Sequence, residues 1–357
     1  MVSAVEHDAM TRALAMAAET SGVTHPNPRV GAVLLDAVGQ VVGTGVHHGP
    51  GQPHAEIAAL AQAGDAARGG TAVVTLEPCS HFGRTGPCAA ALVAAGVQRV
   101  VFGQTDPNPV AAGGAATLRA AGVDVESDVC VDRAKDLNPV WTFAMQTRRP
   151  LVTWKFAATV DGRVAAADGT SRWVSGERSR AEVHRMRSRV DAVVVGTGTV
   201  LADDPRLTAR GPDGTLLPRQ PVRVVVGRRD LPATAQVLDA SAPTLVWTSS
   251  NLREMLDELF ARDVHHVLLE SGPVLSAAMV EAGLVDGVVA YIAPKILGSG
   301  LFLIGQLNVT TMSQARQLAF DDVARIGDDI RITARFRPDA PVVDWAGSWA
   351  SNLGVGR

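Results

Sequence analysis

The chain has 357 residues, a length that predicts two domains, each large enough to bury a hydrophobic core. Its net charge is −3 and only 4% of its residues are aromatic, which argues against a surface for nucleic acid or for an anionic membrane. No apolar run approaches 18 residues and the first residues include Glu6 and Asp8, so the sequence predicts a cytoplasmic protein without a membrane span or signal peptide.

Residues 1–145 alternate helix-like and strand-like segments. The predicted elements are a helix over 5–20, strands over 30–35 and 41–47, a helix from residue 54, a strand over 71–76, a helix over 88–95, a strand over 99–102, a helix over 115–121 and a strand over 123–125. This alternation is typical of a layered α/β domain. Residues 138–150 contain two arginines before a proline and predict the crossing into a second domain.

The alternation restarts at residue 151. The predicted elements are a strand over 151–157, a helix over 176–189, strands over 192–196, 222–226 and 244–247, a helix over 252–262, a strand over 266–270, a helix over 273–282, a strand over 285–292, and strands near 316–320 and 330–336. The sequence therefore predicts α/β domains over 1–147 and 148–337, followed by an unassigned tail over 338–357.

His54, Glu56, Cys79 and Cys88 form the pattern with the clearest chemistry. One histidine and two cysteines supply three zinc ligands and leave the fourth tetrahedral position open to water, as in catalytic zinc sites. Zinc lowers the pKa of that water toward neutrality, and Glu56 can take and return its proton. The alternative is a helix-capping histidine beside buried thiols; for Cys130, which has no partner motif, an inert thiol is the preferred interpretation.

The segments around these residues resemble the deaminase half of the bifunctional riboflavin-biosynthesis deaminase/reductases. They are HPNPRVGAV at 25–33, HHGPGQPHAE at 47–56, TLEPCSHFGRTGPC at 75–88 and DPNP at 106–109. Zinc deaminases in general carry H-x-E followed by P-C-x-x-C, whereas eight residues separate the two cysteines here, as they do in this family. The resemblance implies a three-layer cytidine-deaminase-like fold and a diaminopyrimidinone substrate that carries a phosphoribosylamino group.

The same resemblance implies substrate contacts in the first half, at Asn27, His47, His81, Arg84, Asp106 and Asn108. Asparagine and aspartate can recognise a pyrimidine edge by hydrogen bonds, and an arginine can bind a phosphate through two N–H groups. Without the resemblance, the HPNP and DPNP segments are better explained as turns, because Asn-Pro and Asp-Pro favour turn formation.

Two glycine turns in the second half are candidates for anion binding. VVVGTGTV at 193–200 runs from a strand into Gly-x-Gly, and LLESGPVLSAAMV at 268–280 runs from a strand through Gly-Pro into a helix. Each alone is explained equally well as a tight strand-to-helix turn.

The second half resembles the reductase half of the same family. The matching segments are WKFAATVDGRVA at 154–165, SRWVSG at 171–176, VHRMRSRVDAVVVGTGTVLADDPRLTAR at 183–210, ESGP at 270–273 and APKILG at 293–298. The resemblance implies a dihydrofolate-reductase-like α/β fold that uses NADPH to convert the ribosyl group into a ribityl chain.

It also implies the roles of individual residues in this half. The implied NADPH contacts are Ala157, Trp173, Thr199, Asp203, Gly272, Pro273, Val274, Leu275 and Ser276. The implied substrate contacts are Ser171, Arg187, Leu207, Arg210 and Glu270, and the catalytic trio around the reacting carbon is Lys155, Asp203 and Glu270.

Arg187 and Arg210 suit a phosphate. The group that protonates the opening sugar is either Lys155 or an acid that burial keeps protonated. Candidates for the 2′-phosphate of NADPH are Arg228, Arg229, Thr248 and Ser249, which could equally be surface residues.

The resemblance covers residues 8–337 and weakens at 109–116, 298–312 and in the tail. It implies zinc-dependent deamination of 2,5-diamino-6-(5-phosphoribosylamino)pyrimidin-4(3H)-one, followed by NADPH-dependent reduction to 5-amino-6-(5-phosphoribitylamino)uracil. The expected partners are this small molecule and further copies of the chain in a dimer or larger homo-oligomer, with no nucleic acid and no membrane. The alternatives are a nucleic-acid base deaminase with an appended nucleotide-binding domain, which the net charge disfavours, and a non-catalytic zinc-stabilised scaffold or sensor.

Overall fold

Residues 1–20, 24–81, 86–337 and 340–345 are described by the computed structural model of the chain. They fall into two units, Met1–Gln146 and Thr147–Arg357. The elements of the first unit are α1 (Ala4–Glu19), β1 (Gly31–Leu35), β2 (Val41–Val46), α2 (Ala55–Ala63), β3 (Thr71–Leu76), α3 (Cys88–Ala94), β4 (Arg99–Gln104), α4 (Gly114–Ala120), β5 (Asp124–Glu126) and α5 (Val131–Leu137), with α6 (Pro139–Thr147) at its end.

The first unit has one five-stranded sheet in the order β2-β1-β3-β4-β5. β1 is antiparallel to β2 and to β3, whereas β3, β4 and β5 run parallel. Because successive side chains of a strand point to opposite faces, Ala32 and Leu34 pack with the apolar residues of α2 and α3, and Val33 and Leu35 pack with those of α1 and α5. The first unit is therefore a three-layer α/β domain, as predicted.

Glu6 fixes the start of α1. Ser3 and Glu6 form a capping box, in which the Glu6 N–H donates to Ser3 Oγ and the Ser3 N–H donates to Glu6 Oε2. Arg99 on β4 donates from Nε to Glu6 Oε1 at 2.6 Å. This buried carboxylate therefore joins the first helix to the central sheet.

The second unit contains β6 (Leu151–Thr159), β7 (Arg163–Ala165), α7 (Glu177–Arg189), β8 (Ala192–Gly196), α8 (Thr197–Asp203), β9 (Val222–Val226), β10 (Thr244–Trp247), α9 (Leu252–Ala261), β11 (His266–Leu269), α10 (Pro273–Glu281), β12 (Gly287–Ala293), β13 (Leu301–Phe302), β14 (Ala319–Ile326) and β15 (Asp329–Arg335). Its main sheet has the order β10-β9-β8-β11-β6-β12-β15-β14. The strands from β10 to β12 are parallel, and β15 is antiparallel to both of its neighbours. The carboxyl ends of β8, β11 and β6 therefore meet at one edge, which is where open α/β sheets bind ligands.

Helices cover both faces of this sheet. Residues of α9 and α10 pack on one face, and residues of α7 pack on the other, together with Trp345 from the tail. Trp345 is buried and its ring centroid lies 5.3 Å from that of His266. The described part of the tail thus contributes to the core of the second unit.

Most predicted elements are present, with shifted ends. The segment predicted as a domain crossing forms α6. Four further elements, α5, β7, α8 and β13, were not predicted from the sequence. The strand predicted near 316–320 begins at Ala319 and continues to Ile326, because Gly327, at a φ of +67°, permits a tight turn into β15. Among the described residues, no helix combines the length and apolar character that a membrane span requires.

Candidate active sites

The predicted zinc ligands come together in the first unit. His54 immediately precedes α2, Cys79 follows β3 and Cys88 begins α3. His54 Nδ1 lies 3.6 Å from Cys79 Sγ and 3.3 Å from Cys88 Sγ, and the three ligand atoms all lie within 4.8 Å of one another. A tetrahedral zinc with ordinary Zn–N and Zn–S bonds separates nitrogen from sulfur by roughly 3.6 Å. The donor set and its spacing therefore fit zinc.

The electrostatics of this cluster agree with a metal site. The contact with Cys88, followed by that with His54, lowers the pKa of the Cys79 thiol to about 4, whereas the same sulfur–sulfur contact and burial raise the pKa of Cys88, so the pair favours one thiolate, at Cys79. Glu56, in the first turn of α2, is only 4% exposed, and burial raises the pKa of its carboxyl to about 7. A carboxyl with a pKa near neutrality, next to the metal ligands, can both accept and release a proton.

Asn27 and His47 lie beside the zinc ligands. His47 donates from Nδ1 to the Pro53 carbonyl at 3.1 Å, so its Nε2 is an acceptor, and Asn27 Nδ2 donates to it at 2.9 Å. Burial lowers the pKa of His47 and favours this neutral form. The His47 ring meets the His54 ring edge to face, at 5.3 Å between centroids. The structure therefore places both predicted contacts next to the candidate metal centre.

Asp106 and Asn108 occupy the loop between β4 and α4. Asp106 Oδ1 accepts from the Asn108 N–H at 2.8 Å, and Asn108 Oδ1 accepts from the Val110 N–H at 3.1 Å. These are the turn interactions that the DPNP segment predicts when taken alone. The pKa of Asp106 is raised to about 7, first by burial and then by the nearby Glu77. Their contact with substrate stays a prediction.

His81 lies two residues after Cys79. Its Nδ1 atom is buried and has no hydrogen-bond partner within the described ranges, which leaves it available to a ligand. Arg84 lies outside the described residues, so the structure says nothing of its position.

In the second unit, the pairing of β11 with β6 brings two members of the predicted trio together. Leu269 lies opposite Trp154 in the register, and at the next position along each chain Lys155 Nζ lies 3.9 Å from Glu270 Oε2. Burial lowers the pKa of Lys155. Burial acts to raise the pKa of Glu270, but Arg187 and Lys155 outweigh it and lower this pKa, so Glu270 is ionised.

The third member, Asp203, ends α8 and contacts other residues. Its Oδ1 accepts from Ser171 Oγ at 3.1 Å, and its carbonyl oxygen accepts from the Arg172 guanidinium. The structure therefore joins Asp203 to Ser171, which is itself a predicted substrate contact.

The guanidinium of Arg187 forms hydrogen bonds with other residues of the protein. Its Nε and Nη2 donate to the two oxygens of Glu270, and its Nη1 donates to the Thr208 carbonyl at 3.3 Å. Arg210 donates from Nε to Thr208 Oγ1 at 3.0 Å. Leu207 is buried and has a backbone φ of +57°; its contact with substrate stays a prediction. Of the two arginines predicted to bind phosphate, Arg210 is thus the one with fewer protein contacts in the described residues.

Three of the predicted NADPH contacts, Ala157, Thr199 and Gly272, lie at or just after the carboxyl ends of β6, β8 and β11. Ala157 is on β6, Thr199 is in α8, and the Gly272 N–H donates to Thr199 Oγ1 at 3.2 Å. In the run from Gly272 to Ser276, Val274 is 82% exposed, whereas Leu275 packs against the core and Ser276 is buried.

Trp173 is 61% exposed. The exposed side chains of Trp173 and Val274 suit a surface that a nucleotide covers on binding. Of the residues considered for the 2′-phosphate, Arg229 lies beside the Gly-x-Gly turn, since a Cβ on Gly198 would be 2.6 Å from its Nη2. Arg228 donates to the Thr248 carbonyl at 3.2 Å.

Sequence reasoning missed three residues that organise these sites. Glu77 accepts the backbone N–H groups of Asp106 and Ala115. Thr208 contacts both predicted phosphate arginines, and its carbonyl also accepts from His184 Nδ1 at 3.1 Å. Only His184 carries a sequence signal, since it lies three residues before Arg187 on α7 and therefore on the same helix face.

Comparison with known proteins gives the same two halves. The family model of the cytidine and deoxycytidylate deaminase zinc-binding region matches residues 4–104. The model of the RibD C-terminal domain matches residues 150–332.

The similar curated proteins are named riboflavin biosynthesis protein RibD. That of Mycobacterium tuberculosis is 44% identical over 328 residues, which cover 91% of this chain and 96% of the relative. That of Escherichia coli is 38% identical over 357 residues, with 90% and 96% covered.

Several solved structures match over nearly the whole chain. A RibD structure from Acinetobacter baumannii is 36% identical, with a TM-score of 0.82, and covers 93% of this chain and 98% of its own. A diaminohydroxyphosphoribosylaminopyrimidine deaminase/5-amino-6-(5-phosphoribosylamino)uracil reductase from Thermotoga maritima is 32% identical, with a TM-score of 0.79 and the same coverage.

Proposed function

Because the chain belongs to the RibD family of bifunctional riboflavin-biosynthesis enzymes, we propose which of its residues carry out each of the two reactions. The enzyme deaminates the diaminopyrimidinone ribotide and then reduces the ribosyl group to ribityl. Its fold is a cytidine-deaminase-like domain followed by a dihydrofolate-reductase-like domain. We assign deamination to residues 1–147 and reduction to residues 148–337, an assignment that the division into two units supports.

The observation that carries the deaminase assignment is the convergence of three zinc-ligand atoms beside a buried carboxyl. His54, Cys79 and Cys88 would hold the zinc, which when bound supplies a Lewis acid that activates water at neutral pH. Glu56 accepts a proton from the attacking water and delivers it to the ring amino group, which leaves as ammonia. Hydrolysis thereby replaces the carbon–nitrogen bond by a carbonyl.

The residues around this centre orient the pyrimidine. Asn27 and His47 form one hydrogen-bonded pair next to His54, and the loop with Asp106 and Asn108 supplies a second set of polar groups. The Nδ1 of His81, which has no hydrogen-bond partner among the residues that the structure describes, is assigned to the substrate. We assign Arg84 to the substrate phosphate because of its charge.

In the reductase, NADPH when bound supplies the hydride that adds to C1 of the sugar. The ring oxygen must gain a proton as the carbon–oxygen bond breaks, and we assign that proton to the Lys155 ammonium. Glu270 is ionised by Arg187 and stands 3.9 Å from Lys155 Nζ, so it stabilises the ammonium and cannot itself be the acid. Asp203 and Ser171 then orient the sugar, and Arg210 holds the phosphate.

A single assay tests both assignments. The protein loaded with zinc is incubated with the diaminopyrimidinone ribotide, and ammonia release and product mass are followed with and without NADPH. Ammonia without NADPH and a ribityl product with NADPH are expected. Neither signal from folded, zinc-bound protein would instead favour a non-catalytic scaffold.

We further propose that the enzyme acts as a homodimer or larger oligomer in the cytoplasm, where thiols such as those of Cys79 and Cys88 stay reduced. β14 is the last strand of the main sheet and exposes Phe320 (71%) and Val323 (60%). An exposed apolar edge strand favours pairing with another chain. Sedimentation of the native protein and of Val323→Lys tests this contact; a monomeric native protein would contradict it.

A further inference from the structure

The loop between β4 and α4 is fastened to the segment that carries the zinc ligand Cys79. Glu77, two residues before Cys79, accepts the Asp106 N–H on Oε2 at 3.1 Å and the Ala115 N–H on Oε1 at 2.9 Å. Ser80, the residue after Cys79, donates from its N–H to the Ala111 carbonyl at 3.1 Å and from Oγ to the Ala112 carbonyl at 2.6 Å. The two residues therefore hold the loop near its start, at Asp106, and near its end, at Ala111 and Ala112, and they also hold the first turn of α4, at Ala115.

The close contact between the two segments depends on a glycine. A Cβ on Gly114, the first residue of α4, would lie 1.7 Å from the Pro78 carbonyl oxygen. The preceding Gly113 has a φ of +98° and offers no side-chain cap to the helix. Glu77 therefore supplies the cap from another segment, because the Ala115 N–H belongs to the first helical turn, whose N–H groups lack intrahelical partners.

The two hydrogen bonds that Glu77 accepts require a carboxylate, because Glu77 is buried and water cannot replace a lost acceptor. Glu77 is only 5% exposed, and its two oxygens each bind a different N–H group. A glutamine at this position has one acceptor oxygen, and its NH₂ group would face the other N–H donor. One buried N–H would then lose its partner, which costs more than the bond itself is worth in a folded protein.

We propose that Glu77 and Ser80 are positioning residues of the deamination reaction: together they hold the loop with Asp106 and Asn108 at a fixed place relative to Cys79, so that the pyrimidine and the metal centre are aligned. This inference rests on the proposed function, in which Asp106 and Asn108 contact the substrate. Neither Glu77 nor Ser80 needs to touch the substrate for this role.

The test compares Glu77→Gln and Ser80→Ala with the matched control Glu6→Gln. Glu6 is also a buried carboxylate of the first unit that binds a backbone N–H at a helix start, but it caps α1 and contacts Arg99. We expect Glu77→Gln to raise KM for the ribotide about tenfold, the equivalent of one hydrogen bond, with a smaller change in kcat. Ser80→Ala should raise KM less, and Glu6→Gln should leave KM unchanged.

Two further readouts separate positioning from general damage. Zinc content and NADPH-dependent reduction of the already deaminated intermediate should equal those of the native enzyme in all three variants. Glu77→Asp, which keeps the charge, should regain part of the lost affinity. An equal rise of KM in Glu6→Gln, an unchanged KM in zinc-bound Glu77→Gln, or loss of zinc from Glu77→Gln would overturn the proposal. Failure of the proposed function is distinct, because the native protein would then release no ammonia.

Discussion

Arg187 holds Glu270 through two parallel hydrogen bonds, from Nε to Oε1 at 2.6 Å and from Nη2 to Oε2 at 2.9 Å. This planar, bidentate geometry is specific to arginine. It holds the pKa of Glu270 below its ordinary value, although burial acts to raise it. The charge on Glu270 in turn offsets the cost of burying the Lys155 ammonium.

Replacing Arg187 should therefore impair the reduction reaction, because it changes the protonation of Glu270. In Arg187→Met the guanidinium no longer opposes the effect of burial, so the pKa of Glu270 rises, a larger share of this carboxyl is protonated at a given pH, and the counter-charge beside Lys155 is weakened. We expect kcat/KM of reduction to fall about 100-fold or more and to recover partly at higher pH. Steady-state kinetics between pH 6 and 9 measure this. Arg178→Met, an exposed arginine on the same helix, is the control; an equal loss in it would point to damage of α7 rather than of the ion pair.

Glu56→Gln should abolish deamination while zinc stays bound. The amide keeps the size and burial of the side chain but cannot carry a proton between water and the leaving amine, so a rate loss of about 100-fold or more is expected. Metal analysis and ammonia release measure the two properties on one sample. Reduction of the deaminated intermediate is the internal control. Retained ammonia release would refute the proton role.

Asp203→Asn should impair reduction and spare deamination. The amide removes the charge next to Ser171 and weakens the acceptor for its hydroxyl. A matched control is Asp204→Asn, the adjacent residue, whose carboxylate binds Gln236 instead. We expect a drop in kcat/KM for reduction of about tenfold or more in the first variant only. A parallel loss of both activities would indicate misfolding.

His266 should make the second unit less stable in acid. Its ring is buried, bonded to Thr153 Oγ1 at 2.9 Å, and burial lowers its pKa from 6.5 to about 4. Between pH 6.5 and about 4, His266 therefore binds a proton in the unfolded chain but not in the folded chain. The free energy of unfolding falls as pH drops through this window, by about 3 kcal/mol in total.

Urea unfolding at a series of pH values checks this linkage. His266→Gln should flatten the decline of the free energy of unfolding below pH 6.5. His48→Gln, at an exposed histidine, should leave the decline as in the native protein. An unchanged slope in the first variant would assign the acid sensitivity to other groups.

How much of each site can be predicted from sequence depends on the kind of contact involved. His54, Cys79 and Cys88 are identifiable because metal ligands must be of particular residue types, at spacings that one helix and two loops can bring together. Lys155 and Glu270 are 115 positions apart, and only the pairing of β11 with β6 makes them neighbours. The family resemblance, not local pattern, identified them.

Other residues leave no such signal. Glu77 acts on backbone N–H groups, and Thr208 acts largely through its own carbonyl, so neither role constrains a recognisable motif. α6 was not predicted because the Asn-Pro at its start and the Arg-Arg-Pro after it are typical of a linker, whereas the apolar residues between them form a helix. At α6, tertiary packing determined the secondary structure, because the local helix propensity of these residues is weak.

The two sheets differ in when their strands can pair as the chain is synthesised. In the first unit, β1, β2, β3, β4 and β5 all find partners close in sequence. β6, by contrast, lies between β11 and β12, whose residues follow it by more than a hundred positions. Contacts of such long range form slowly. A nascent chain can therefore complete the zinc-binding half while β6, the apolar strand at the centre of the reductase sheet, still has both edges unpaired. Until β11 and β12 have been made, this strand is exposed to aggregation.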